Sequence, residues 1–263
     1  MNDMSTIVFT NQKGGPGKST LSVLYGHWLA DKQGKRVCAI DLDSQKNMSK
    51  TLQSFDCGIS ALELFDPASI SVPNVAPGSM VLFAGARGLI DLERAQPEVV
   101  IPAFRQHVAA LLRVFDACVI DTPPALGLRM SAALIAADHV ACPIELEEYS
   151  IDGVTDMLKT VFGVKQKYNP RLQLLGIIAN RFNPHSVRQK EALAELLSHY
   201  EEFVVPAKIS TRSAIPEALA AGVPVWRLAK SSAREASAEV FKVFELLRER
   251  MDACSRGPAA EAA

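Results

Sequence analysis

Lys18 and Ser19 close a glycine-rich stretch, Gln12-Lys13-Gly14-Gly15-Pro16-Gly17-Lys18-Ser19-Thr20, whose residue types suit a polyphosphate. Phosphate oxygens need many donors close together. Glycines let backbone N–H groups approach them with no Cβ in the way, and a following helix adds free N–H groups and positive dipole potential. In such a loop Lys18 reaches the β- and γ-phosphates and the Ser19 hydroxyl holds Mg²⁺. The ending Gly17-Lys18-Ser19 fits the pattern G-x-x-x-x-G-K-[ST], but Gln12 stands where that pattern has its first glycine. Gly14 and Gly15 lie inside the loop instead, and Lys13 adds a second cation that an ordinary phosphate loop lacks.

Two further polar clusters follow apolar runs. Lys35-Arg36-Val37-Cys38-Ala39-Ile40 ends in Asp41-Leu42-Asp43-Ser44-Gln45-Lys46-Asn47, and Ala117-Cys118-Val119-Ile120 ends in Asp121-Thr122-Pro123-Pro124. Carboxylates at the carboxyl ends of strands beside a phosphate loop face the ligand crevice. Asp121 is placed to hold a water of a Mg²⁺ shell, since Mg²⁺ keeps several of its waters. Leu172 to Ala179 is a long apolar run ending in Asn180, whose amide offers a donor and an acceptor to an adenine edge.

These residues need strands to carry them and helices to cover the strands. Ile7-Val8-Phe9 precedes the loop and Leu21 to Ala30 follows it as a helix, for which Gly34 is a natural stop. Short apolar runs then alternate with helical patterns. Strands are expected at 35–41, 80–84, 117–121, 139–143, 172–180 and 203–206. Helices are expected at 60–65, 89–94, 99–114, 128–137 and 150–165, with a final one burying Val240, Phe241, Val243, Phe244, Leu246 and Leu247. The alternation predicts an α/β fold, a doubly wound, mostly parallel sheet with helices on both faces. Residues 1–254 read as one domain, and the Ala/Gly/Pro-rich stretch 255–263 as a disordered tail. His107 reads as a partly exposed helix residue without a role.

The chain has 263 residues, 48% of them hydrophobic, and 28 basic against 29 acidic side chains, so no global charge points to nucleic acid. It has no signal-peptide pattern and no uncharged apolar run long enough for a bilayer. The five cysteines form no C-x-x-C pair, and Cys38, Cys118 and Cys142 fall in expected core strands. That fits a reducing cytoplasm and excludes a structural zinc site.

Lys13 to Thr20 resembles the deviant Walker A motif, K-G-G-x-G-K-[ST]-T, of the ParA/MinD superfamily of phosphate-loop ATPases. Asp41 to Asn47 resembles that family's Walker A′ motif, D-x-D-x-Q-x-N, with Ser44 where Pro is usual. Asp121 to Gly127 resembles its Walker B and nucleotide-sensing segment, D-x-P-P-x-L-G. The likeness runs from Ile7 to about Leu247. It implies Gly14, Gly15, Pro16, Gly17, Lys18, Ser19 and Thr20 around the phosphates of ATP, with Asn180 and Pro206 by the base. It implies Ser19, Asp41 and Asp121 about Mg²⁺, Asp43 positioning the attacking water, and Lys13 reaching the partner's nucleotide across an ATP-bound homodimer. It further implies slow hydrolysis, stimulated by a ParB-like or cargo-adaptor protein, and sequence-independent DNA binding. The cargo expected is a plasmid, a chromosome region or a protein assembly, with the ATPase cytoplasmic and nucleoid-associated. With the loop so near the first residue, the short ParA-type proteins are the expected group.

A basic cluster, Lys208, Arg212, Arg227, Lys230 and Arg234, is the candidate DNA surface. Three alternatives within the superfamily are weaker. A MinD-like membrane cycler would need a terminal amphipathic basic helix, yet Glu239, Glu245 and Glu249 interrupt the last one. An iron–sulfur carrier would need paired exposed cysteines. A tyrosine kinase of the superfamily would carry a tyrosine cluster near its end, and the last tyrosine is Tyr200.

Overall fold

In the computed structural model, which describes residues 4–68, 70–147 and 150–256, the centre is an eight-stranded sheet. Its strands are β1 (Ser5–Phe9), β2 (Val37–Asp41), β3 (Asp56–Ser60), β4 (Met80–Ala84), β5 (Ala117–Asp121), β6 (His139–Glu145), β7 (Gln173–Phe182) and β8 (Val204–Ser210). They lie in the order β3-β4-β2-β5-β1-β6-β7-β8, and every pairing is parallel. Parallel strands need crossovers; α1 (Lys18–Gln33), α2 (Asn47–Thr51), α3 (Pro97–Leu111), α4 (Leu128–Ala136), α5 (Ile151–Lys167) and α6 (Val187–Tyr200) lie in them, whereas the described residues between β3 and β4 hold only the 3₁₀ turn Ala61–Phe65, and α7 (Ala214–Ala220) and α8 (Ser231–Arg256) follow β8.

Alternate residues of each strand point to opposite faces, so the sheet sorts its apolar side chains into two cores. Val8, Cys38, Ile40, Cys118, Ile120 and Val140 pack on the face covered by α3, α4 and α5. Ile7, Phe9, Val37, Ala39, Val119 and Ala141 pack on the face covered by α1, α7 and α8. Helix α1 is buried along one unbroken run from Leu21 to Ala30 because the sheet and α8 enclose it. Tyr25 meets Phe244 edge-on, with ring centroids 5.0 Å apart. Gly34 ends α1 in the left-handed region at φ 65°, and its N–H bonds to the Leu29 carbonyl.

Register places the chemistry. Phe9 pairs with Asp121, and Asp41 pairs with Asp121, so the strand ends that carry the phosphate loop and the two aspartate motifs finish level. Strand order reverses about β1, which opens the crevice there.

Several expectations shift. The helical patterns at 60–65 and 89–94 are 3₁₀ turns, Ala61–Phe65 and Arg87–Arg94. Strand β3 is short, half exposed and interrupted by Gly58 at φ 78°, so it shows no apolar run. The last strand extends to Ser210, and α3 runs from Pro97 to Leu111. His107 is buried rather than partly exposed, its ring nitrogens 2.9 Å and 3.0 Å from the Leu64 and Ala68 carbonyls, where it fastens α3 to the preceding loop. Helix α8 continues through Ser255 and Arg256, so the expected tail does not begin at 255. The rest of that tail, from Gly257, lies outside the described residues.

Candidate functional site

The loop between β1 and α1 is built on two glycines in positive-φ backbone, Gly15 at 93° and Gly17 at 87°. Gly17 also needs the space. A Cβ there would lie 2.2 Å from Asn180 Nδ2, the amide that donates to the Pro16 carbonyl at 2.8 Å. Asn180 is thus buried under the loop and closes it, with one donor of its amide spent on the Pro16 carbonyl. Asn11 holds the other flank, donating to the Pro143 carbonyl at 2.7 Å and accepting from the Lys13 N–H at 2.9 Å. Gln12 donates to Thr160 Oγ1 of α5 at 2.7 Å, a role open to an amide and closed to the glycine of the ordinary pattern.

The two lysines part company. Lys18 is buried, and its ammonium donates to the Lys13 carbonyl at 2.9 Å across the loop. Burial lowers its pKa, against the attraction of Asp121 and Asp43. Lys13 is exposed and turns toward α5: a Cβ on Gly153 would stand 3.6 Å from its Nζ.

The three aspartates take different parts. Asp121 is fully buried, and neither carboxylate oxygen has a hydrogen-bond partner among the described residues. Burial, with Asp41 nearby, holds its pKa well above the ordinary value, while the Ser19 hydroxyl and Lys18 beside it pull the other way. Orphaned carboxylate oxygens next to a hydroxyl are the donor set a hard cation takes, so Ser19 and Asp121 fit Mg²⁺.

Asp41, also expected about Mg²⁺, has both oxygens engaged by the protein. Its Oδ1 accepts from the Asp43 N–H at 3.0 Å, and its Oδ2 from the Ser49 N–H at 2.8 Å and Ser49 Oγ at 2.5 Å. Burial raises its pKa in spite of those bonds. Asp41 is therefore a brace for the strand end. Asp43 Oδ1 accepts from the Gln45 N–H at 2.9 Å, which leaves Oδ2 for a water. Ser49, which in turn accepts from the Gly85 N–H at 2.8 Å, was not singled out in the sequence; a serine shortly past the last motif aspartate carries no signal of its own.

The remaining candidates scatter. Thr20 is half buried at the start of α1. Pro206 is not brought to the loop: it is exposed on the edge strand β8, in a groove with Leu193, Leu197 and Lys242. Three of the five proposed DNA-contacting cations are already paired. Arg212 meets Glu235 and Glu239, Arg227 meets Asp31 at 2.9 Å, and Lys230 meets Glu217. Lys208 lies over the Phe182 ring, 4.1 Å from its centroid, and Arg234 is exposed with no ion pair among the described residues. Among the described residues no helix is long and apolar enough to cross a membrane.

A family model described as an AAA domain matches residues 4–174. The chain is 40% identical over 260 residues to Protein IncC of Escherichia coli, covering 95% of this chain and 70% of that protein. It is 30% identical over 227 residues to the chromosome-partitioning ATPase Soj of Treponema pallidum, covering 84% and 88%. In fold it matches the ATP complex of Cyanothece McdA, with a TM-score of 0.79 over 95% of this chain and 97% of that one, at 24% identity.

Proposed function

The chain belongs to the ParA/MinD superfamily of partition ATPases, and on that premise we propose that it positions a DNA or protein cargo by cycling between a monomer and an ATP-bound sandwich dimer. The observation that carries this reading is the separation of the two loop lysines. Lys18 is buried against its own loop, whereas Lys13 is exposed and directed away, toward Gly153. A cation so placed can serve a second nucleotide.

Phosphoryl transfer needs positioning and charge stabilisation more than covalent help from the protein. The backbone N–H groups of Gly14, Gly15, Gly17, Lys18 and Ser19 and the Lys18 ammonium bind the phosphates. Asp43, braced by Asp41, holds the attacking water through Oδ2, with its other oxygen fixed by Gln45. Water oxygen bonds to the γ-phosphorus as the bond to the ADP oxygen breaks. Ser19 and Asp121 would hold Mg²⁺, which would supply neutralisation of the phosphate charge. Lys13 of the partner stabilises the same charge from across the dimer.

In this reading the dimer binds DNA without sequence preference, and a ParB-like or adaptor protein stimulates hydrolysis and release. Lys208 and Arg234 carry the DNA contact, because Arg212, Arg227 and Lys230 are matched by carboxylates. Light scattering with ADP, ATP and a non-hydrolysable analogue tests the cycle. Dimers with ATP and the analogue, and monomers with ADP, are expected. A chain that binds ATP tightly and stays monomeric would sink the sandwich mechanism.

A further inference from the structure

We propose that Arg129 and Glu93 are positioning residues for hydrolysis, clamping the Walker A′ strand end to the loop that follows β5. Arg129 is the second residue of α4 and is buried, unusual for a guanidinium. One arm, Nη1, donates to the Leu42 carbonyl at 3.1 Å. Its Nε donates to Glu93 Oε1 at 2.8 Å. The other Glu93 oxygen accepts the Leu128 N–H at 2.6 Å, capping the start of α4. Leu42 stands between the two A′ aspartates, Asp41 and Asp43, and its own N–H donates to the Asp121 carbonyl at 3.0 Å.

One residue is therefore fastened on both sides. Its N–H is tied to the residue before the Thr122–Gly127 segment, and its C=O to a residue just after it. A displacement of that segment reaches Leu42 through both bonds, and through Leu42 it reaches the aspartates on either side. Gly127 fits the same account: its backbone is ordinary extended chain, yet a Cβ there would lie 2.3 Å from Glu93 Oε2. The glycine makes room for the carboxylate. Neither Arg129 nor Glu93 is among the residues placed on phosphate or metal, so their effect runs through Asp43. The inference rests on the reading of Asp43 as the water-holding carboxylate.

Arg129→Lys and Glu93→Gln test it in the full chain. A lysine keeps the charge but cannot reach Leu42 and Glu93 with a fixed fork, and a glutamine amide nitrogen cannot accept the bond it replaces. Both variants are expected to bind a fluorescent ATP analogue within about threefold of wild type while kcat falls about tenfold or more and KM changes little, as a misplaced reacting group requires. Asp43→Ala serves as the reference. If Asp43→Ala is inactive and either folded clamp variant turns over ATP at the wild-type rate, the clamp is overturned alone. If kcat and nucleotide affinity fall together with melting temperature, the pair is a fold-stabilising contact and the inference is also overturned. If Asp43→Ala itself hydrolyses normally, the underlying reading of the water site has failed. Glu93 is partly exposed, so its variant keeps the test alive should Arg129→Lys not fold.

Discussion

Gly17 and Asn180 interlock: the side-chain amide of Asn180 fills the space a Cβ on Gly17 would need, and bonds the carbonyl of the residue before it. The phosphate loop is shaped from β7 as well as from its own sequence. Asn180→Ala leaves the Pro16 carbonyl without its partner in a buried setting, which costs about 1–3 kcal/mol. ATP affinity is expected to fall by roughly tenfold or more, and titration with a fluorescent analogue checks it. Unchanged affinity would mean that the loop holds its shape without Asn180.

Lys18→Ala removes the cation that the phosphates would recruit from the Lys13 carbonyl. A charge-assisted bond of this kind contributes about 1.5–3 kcal/mol, roughly ten- to a hundredfold in affinity. A folded Lys18→Ala protein that binds ATP as wild type does would refute the phosphate-loop assignment.

The three nucleotide motifs were legible because each is local. Glycines, Lys18 and Ser19 sit within a few residues of one another, and each aspartate closes an apolar run that reads as a buried strand. The register that brings Asp41 level with Asp121 follows from the parallel sheet. What stayed hidden depends on distant partners. Arg129 meets Leu42, Asn180 meets Pro16, and Arg227 meets Asp31, pairs that lie far apart in sequence. The basic cluster looked uncompensated because its carboxylates come from other elements. His107 looked idle because the carbonyls its ring meets, of Leu64 and Ala68, lie some 40 residues earlier.

His27 gives the fold an acid-sensitive point. It is buried in α1 against the Phe55 ring, its Nε2 has no partner among the described residues, and Asp31 and Arg227 are its charged neighbours. Burial pushes its pKa from 6.5 down to about 4. The unfolded chain therefore binds the proton first as pH falls. Stability is fully present above about 6.5 and is lost progressively down to about 4, on the order of 3 kcal/mol in all. Denaturant melts of wild type and His27→Gln between pH 7 and pH 4 check it. An equally steep pH slope in the variant would assign the acid sensitivity elsewhere.

The paired and unpaired cations make a sharper test of the DNA surface than the cluster as a whole. Lys208→Ala and Arg234→Ala should each weaken ATP-dependent DNA binding and flatten its salt dependence, by roughly 0.9 in log–log slope for each phosphate that is no longer neutralised. Lys230→Ala and Arg227→Ala should do less, because Glu217 and Asp31 already match those charges. Fluorescence anisotropy across a salt series reads both quantities. The reverse order of effects would place the DNA on the ion-paired face.

Lys13 decides whether nucleotide and dimer are linked in this chain. Its ammonium lies over the first turn of α5 rather than in the loop it precedes. Two loops brought face to face without nucleotide would set Lys13 and Lys18 of both chains against one another, and like charges at short range repel. A γ-phosphate between them turns that repulsion into attraction, so ATP should drive dimers and ADP should do so poorly. Lys13→Ala keeps Lys18, Ser19 and the loop amides, and is expected to retain nucleotide binding within a few-fold. It should lose the ATP-dependent dimer and at least about tenfold of turnover, the share expected of one cation on the transferring group. Lys13→Arg should restore little, because a planar fork does not replace a compact ammonium. Light scattering and phosphate release on the same samples separate the cases. A Lys13→Ala protein that dimerises and hydrolyses as wild type does would reduce Lys13 to a solvated loop residue, and the exposed lysine would no longer argue for a second nucleotide.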